Sequence, residues 1–423
     1  MKSQIELLHL ILKDLGYRCS TSTTGDWNTV SRRFEYEGWS FVTITLPGYG
    51  RDFERCLDLG LVTPGSFAGF ADKRGGPLPR FLGGFLGLVF DPKSGRLLPR
   101  SESQIKAIFA VRQICLLYGK IDLPCAEFRE RAAIRNYMEC EKNVLQFEHE
   151  VKSHPEILDD YTRIGRLLWG RLFSRIDNSI FAEGLLPKHG PGATADMLRG
   201  NAKFIQSEWP ARMEEIPGLS HWENLISSES FLDRLVAVNI LEPGAERPVR
   251  VITVPKTLKT PRIIAIEPAA MQYMQQGVLE VMVRQVANDD FARHFVKFDE
   301  DGQQINQLLA QEGSRDGTLA TLDLSEASDR VSMQHVSGLL ERHTISREVV
   351  FATRSQKAAV PGNGVIPLAK FASMGSALCF PFEALVFTTC VFLGIERVLN
   401  RPLTRKDVKS FIGKVRVYGD DII

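Results

Sequence analysis

Apolar residues near the start of the chain recur at Ile5, Leu8, Ile11 and Leu12, with Glu6 and Lys13 between them. That spacing predicts an amphipathic helix rather than the unbroken apolar block of a secretion signal. At 39–46 the pattern changes to Trp-Ser-Phe-Val-Thr-Ile-Thr-Leu, rich in aromatic and β-branched residues, which predicts a strand ending at the turn Pro47-Gly48-Tyr49-Gly50. The Gly/Pro-rich stretch 75–87 predicts a loop. From Ser101 to about Phe173 the spacing is helical, broken at Pro124 and Pro155. An irregular glycine-rich stretch, 185–200, contains Lys188-His189-Gly190-Pro191-Gly192-Ala193-Thr194. Two short apolar runs, 249–252 and 263–266, predict strands around a loop, and 271–286 predicts a helix. The last hundred or so residues predict a strand at 318–324, a helix at 371–399, and a strand from Val415 onward. This order predicts an α+β domain on a small antiparallel sheet.

The chain has 423 residues, enough for two or three domains. Its 44% apolar and 24% charged content excludes fibrous and broadly disordered classes. The net charge of +1 implies no general affinity for polyanions, so only local clusters of Lys and Arg bear on nucleic-acid binding. Seven cysteines without a CxxC pair indicate neither a disulfide framework nor a zinc site, and are expected as reduced thiols in a cytoplasm. The longest mostly apolar run, 384–395, is too short to span a bilayer, so no membrane is expected.

Candidate chemistry begins at the end of the chain. Apolar residues flank Tyr418-Gly419-Asp420-Asp421, which predicts a β-hairpin with two carboxylates at its tip. Adjacent acids repel unless a cation neutralises them, and Mg²⁺ favours such oxygens together with phosphates. A third acid, Asp323, ends the predicted strand in Thr321-Leu322-Asp323-Leu324-Ser325-Glu326-Ala327-Ser328-Asp329. It could stand beside the hairpin tip if the two strands are neighbours. Nucleotidyl transfer by two metal ions needs a cluster of this kind. The plainer alternatives are a polar surface hairpin for the pair and a helix cap for Asp323.

Arg247, Arg250, Lys256, Lys259 and Arg262 form a stretch without an acid between them. A strand–loop–strand there would gather cations on one surface suited to a triphosphate, although a solvated basic loop has the same composition. The segment Ser373-Met374-Gly375-Ser376 leads into an apolar helix through Phe380-Pro381-Phe382-Glu383, and its glycine permits close backbone approach. Without context it is a helix start.

In series, these segments resemble the polymerase motifs of the replicases of single-stranded RNA bacteriophages, the levivirus type. The basic stretch resembles motif F, 323–329 motif A, 373–383 motif B and 418–421 motif C; Lys188 to Thr194 resembles a further family segment. The resemblance implies a right-hand polymerase with fingers and palm. Residues 1–150 would form an N-terminal mixed region partly associated with the fingers, 151–317 the fingers with the basic strip, and 318–423 the palm. It implies Asp323 and Asp420 as principal ligands of two Mg²⁺ or Mn²⁺ ions, with Asp421 assisting. Lys256 and Arg262, with Lys259 in the same strip, would bind the incoming triphosphate. Asp329 would read the ribose 2′-hydroxyl, and Ser373 and Gly375 would shape the loop beside the new base pair. Cys379 stands where many such enzymes carry Thr, which argues against a hydroxyl-based sugar contact there; Glu383 stands where many carry Asn.

The resemblance further implies template and product RNA, nucleoside triphosphates, host translation elongation factors and RNA-binding proteins as partners, in the bacterial cytoplasm. Against the family pattern the sequence stops within the catalytic hairpin. It is therefore expected to be truncated, with the thumb missing, an exposed strand edge at Val415 to Tyr418, and little or no activity as a fragment. Two other readings carry weight. A reverse transcriptase also uses a Tyr-x-Asp-Asp hairpin, but Ala327, Ser328 and Asp329 stand where such enzymes tend to place an aromatic residue. A non-catalytic RNA- or host-factor-binding module would need none of the acids.

Overall fold

The computed structural model describes residues 2–70, 76–204, 207–214, 216 and 238–423; Gly75 of the predicted loop lies outside them. The chain divides into two units, Met1–Ala133 with Thr253–Arg262, and Ile134–Ile252 with Ile263–Ile423.

In the first unit the helix Lys2–Arg18 buries Leu8, Leu12 and Leu15, as its spacing predicts. They share a core with Val30, Phe53 and Val111 from the helices Thr24–Glu37, Leu46–Leu59 and Glu102–Leu116. The strand predicted at 39–46 is not formed. A π-helical turn, Phe41–Thr45, runs straight into the helix Leu46–Leu59. Phe41 and Val42 are both buried, although a strand would point them to opposite faces. The apolar series continues at Leu46, Tyr49, Phe53 and Cys56, a helical spacing, and Pro47 sits in the first turn of the α-helix, where proline is tolerated.

In the second unit the helices Asp159–Glu183, Ala269–Ala287 and Cys379–Leu399 supply most of the main core. Trp169 lies fully buried there and donates its indole N–H to Thr389 Oγ1 at 2.9 Å. Among the described residues, Cys379–Leu399 alone has the length and composition to cross a membrane, but 67% of its apolar window is buried inside the protein. A four-stranded sheet runs in the order Arg262–Ile266, Val249–Val254, Lys357–Val360, Gly364–Pro367. Val249 pairs with Ala358 in parallel, so this sheet is mixed. The helix Glu127–Ser153 meets the sheet through Tyr137, which packs among Val249, Val251, Ala265, Ala358 and Val360. The mixture of many helices with small sheets is compatible with an α+β class.

The acidic end forms its own hairpin, Val417–Tyr418 against Asp421–Ile422. The strand predicted at 318–324 contracts to a single antiparallel bridge, Leu322 to Ile422. On the other side the Val417 N–H donates to Phe295 O at 2.9 Å, and Arg416 exchanges both backbone hydrogen bonds with Ile423. The backbone at 416–418, where an open edge was expected, is thus paired with 421–423 on one side and meets Phe295 and Val296 on the other.

Glu267, just past the end of the Arg262–Ile266 strand, is a buried acid accepting a hydrogen bond from the Ser355 hydroxyl. Burial pushes its pKa up to about 7, against the pull of Ser355, Gln275, Arg354 and Arg212. The folded state therefore holds a proton that the unfolded chain releases near its ordinary value of 4.5. Its contribution is fully present below that value and is lost as pH rises to about 7. Glu267→Gln removes this dependence. The stability difference, wild type minus variant, is expected to fall by about 3 kcal/mol across that window in urea melts. A flat difference would show that Glu267 is ionised throughout.

Candidate active site

The hairpin tip is built by close packing. Gly419 has φ 63°, and a Cβ there would come within 2.5 Å of the Phe380 ring. Phe380 packs edge-on against Tyr418 with centroids 4.7 Å apart, and Asn306 donates its amide to the Asp421 carbonyl at 2.9 Å. The Leu322–Ile422 bridge is antiparallel, so Asp323 stands across from Asp421. Asp323, Asp420 and Asp421 are all exposed. The Asp421 carboxyl lies above its ordinary pKa, through partial burial first and then through the charges of Asp420 and Asp323. The three acids are thus neighbours, yet among the described residues no three acid, His or Cys side chains converge as a metal-binding group. The donors are all hard oxygens, which fits Mg²⁺ or Mn²⁺ rather than a soft metal.

Behind them lies Asp329, on the 3₁₀ turn Ala327–Arg330. The residue just before that turn, Glu326, holds the left-handed conformation (φ 52°, ψ 38°), unusual for a residue with a side chain. Its carboxylate is held by the Asn136 amide, by Arg330 at 3.0 Å and by the Cys140 thiol at 3.5 Å. Glu383, near the start of the helix Cys379–Leu399, is buried beside these acids. Its pKa is pushed up to about 8, by burial first and then by Asp420 and Asp329. Burial likewise pushes the Cys379 thiol well above its ordinary range.

The Ser373–Gly375 loop is more than a helix start. Met374 O accepts from the Ala265 N–H at 2.8 Å, Gly375 has φ 133°, and a Cβ on Gly375 would overlap the Ala265 carbonyl oxygen. Ser373 Oγ lies 3.2 Å from the Tyr137 hydroxyl. The Gln275 side-chain oxygen accepts from Ser376 Oγ and Ala377 N, each at 3.1 Å, while its amide donates to Thr353 O at 2.9 Å. Buried Arg354 donates to the carbonyls of Leu368, Lys370 and Phe371, each at 2.7 Å, and so fixes the segment leading into the loop.

Lys256, Lys259 and Arg262 group with the first unit and are exposed. Their loop is braced from within that unit, where Leu258 O accepts from Arg129 Nη1 at 2.6 Å and from the Cys125 thiol at 3.4 Å. Arg247 and Arg250 belong to the second unit; Arg247 pairs with Glu208 at 3.0 Å, while Arg250 Nε is buried without a hydrogen-bond partner. The basic stretch therefore does not form one continuous set of equivalent cations.

Sequence reasoning overlooked Tyr137, Glu141, Arg354 and Lys370. A signal existed: polar residues of the Glu127–Ser153 helix recur on its buried face at Tyr137, Cys140, Glu141 and Glu148.

Residues 245–423 match the family described as RNA replicase, beta-chain. The chain is 37% identical over 174 residues to the RNA-directed RNA polymerase subunit beta of Escherichia virus Qbeta, covering 41% of this chain and 26% of that protein. It is 35% identical over 173 residues to the RNA-directed RNA polymerase beta chain of Escherichia phage MS2, covering 41% of this chain and 28% of that one. The match thus spans little more than a quarter of those relatives' lengths.

Proposed function

We propose that this chain takes part in RNA-templated RNA synthesis, as fingers and palm of a right-hand polymerase acting in a bacterial cytoplasm together with host factors. The observation that carries the reading is the strand register that sets Asp323 across from Asp421, inside the segment that matches the replicase family. Asp323, Asp420 and Asp421 would hold two Mg²⁺ or Mn²⁺ ions. Such ions, when bound, supply activation of the attacking 3′-hydroxyl and charge stabilisation at the departing pyrophosphate. Lys256, Lys259 and Arg262 bind the incoming triphosphate through charge-assisted hydrogen bonds. Asp329 accepts from the ribose 2′-hydroxyl. Ser373 and Gly375, in a loop pinned to Ala265 and Tyr137, hold the nucleotide's surroundings rigid.

The test is incorporation of labelled ribonucleotides on an RNA template with Mg²⁺ by a purified polymerase that carries these residues. Template-dependent product that vanishes with chelator, and with Asp420→Asn, is expected. Preference for deoxyribonucleotides would favour the reverse transcriptase instead. Salt-dependent RNA binding without synthesis, indifferent to Asp420→Asn, would favour the binding module.

A further inference from the structure

Lys370 has 0% of its surface exposed, yet it carries a charge. Its ammonium donates to Asp329 Oδ1 at 2.9 Å. It also lies 3.0 Å from Glu141 Oε1, an ionic contact without hydrogen-bond geometry, and 3.5 Å from the centre of the Tyr137 ring. Burial works against that charge, but attraction to Asp329, Tyr137 and Glu141 more than offsets it, and the net pKa lies above the ordinary lysine value.

Buried ion pairs are poor stabilisers compared with apolar side chains of the same volume, so fold stability alone is a weak reason for one here. The cluster is also lopsided. Glu141 is interior, while the Asp329 side chain retains 19% exposure, so Asp329 forms the open end. Lys370 cannot follow a moving partner. Its backbone bridges to Ser332, Arg354 grips its carbonyl, and the Ala369 N–H donates to Glu141 Oε2 at 2.8 Å. Asp329, on a short turn after the left-handed Glu326, must come to the lysine. With Oδ1 committed to Lys370, Oδ2 is left to accept from a ligand.

We propose that Lys370 is a positioning residue for ribose selection: it fixes the Asp329 carboxylate as acceptor for the substrate 2′-hydroxyl, and Glu141 and Tyr137 fix Lys370. This rests on the polymerase reading above. It also gives the Glu127–Ser153 helix, which lies outside the family-matched residues, a part in substrate choice.

The test compares binding of GTP and 2′-deoxy-GTP, with Mg²⁺ and template RNA, by the full chain and by Lys370→Met. Because methionine leaves Glu141 buried without its cation, Lys370→Met/Glu141→Gln is measured alongside, with circular dichroism to verify folding. The expected result is a loss of about tenfold in GTP affinity, with 2′-deoxy-GTP affinity held, so that the ribose preference collapses. Adding Asp329→Ala to Lys370→Met should cost nothing further, since both act through one contact. Equal weakening of both nucleotides would make Lys370 merely structural and overturn the inference, as would an undiminished ribose preference in the folded variants. If the wild-type chain binds neither nucleotide, the polymerase reading itself falls and the inference falls with it.

Discussion

Replacing Asp323 with alanine is expected to lower templated incorporation at least about a thousandfold while leaving RNA affinity nearly unchanged. The two effects separate because different groups carry them. In the proposed function RNA affinity rests on charge contacts with the phosphate backbone, whereas turnover rests on the oxygens that face Asp421 across the Leu322–Ile422 bridge. A second signature accompanies the loss. Asp323 is one of the charges that raise the Asp421 carboxyl, so without divalent ions the variant should be no less stable than the wild type. Divalent ions should then protect the wild type against heat more than the variant. Incorporation assays, filter binding at several salt concentrations and thermal melts with and without Mg²⁺ measure all three. Retained turnover would remove Asp323 from the metal site.

Gly375→Ala is expected to cost about 3 kcal/mol or more of stability, measured by urea unfolding. A φ of 133° is accessible to glycine and strained for alanine, and the added methyl would overlap a main-chain carbonyl that no rotamer change can move. Relief requires the loop to leave Ala265, which breaks the Ala265 N–H to Met374 O bond and shifts Ser373 from Tyr137. Nucleotide affinity should fall with it. If the segment were only a helix start, the same change would be neutral or mildly stabilising, since alanine favours helices over glycine.

Several features were legible because they depend on neighbours in sequence. The amphipathic first helix, the helices on either side of Pro124 and Pro155, the two strands flanking the basic loop and the acidic hairpin all follow from local spacing. The run at 39–46 misled, because its eight residues satisfy strand propensity while the burial of Phe41 with Val42 depends on a core assembled from other helices. The predicted strand at 318–324 survives only as one bridge, since what Leu322 needs is a partner at Ile422, about a hundred residues away.

The sequence by itself determined the order and chemical type of the site: acids at Asp323, Asp420 and Asp421, a basic loop, and a glycine at Gly375, because motif order and residue identity are one-dimensional properties. Only the tertiary structure decided which charges meet. It brought Glu141 and Tyr137 to Lys370, Lys370 to Asp329, and Glu383 into the company of Asp329 and Asp420. Electrostatic interaction falls with distance in space and grows with burial, and neither quantity is written in the spacing of residues along a chain.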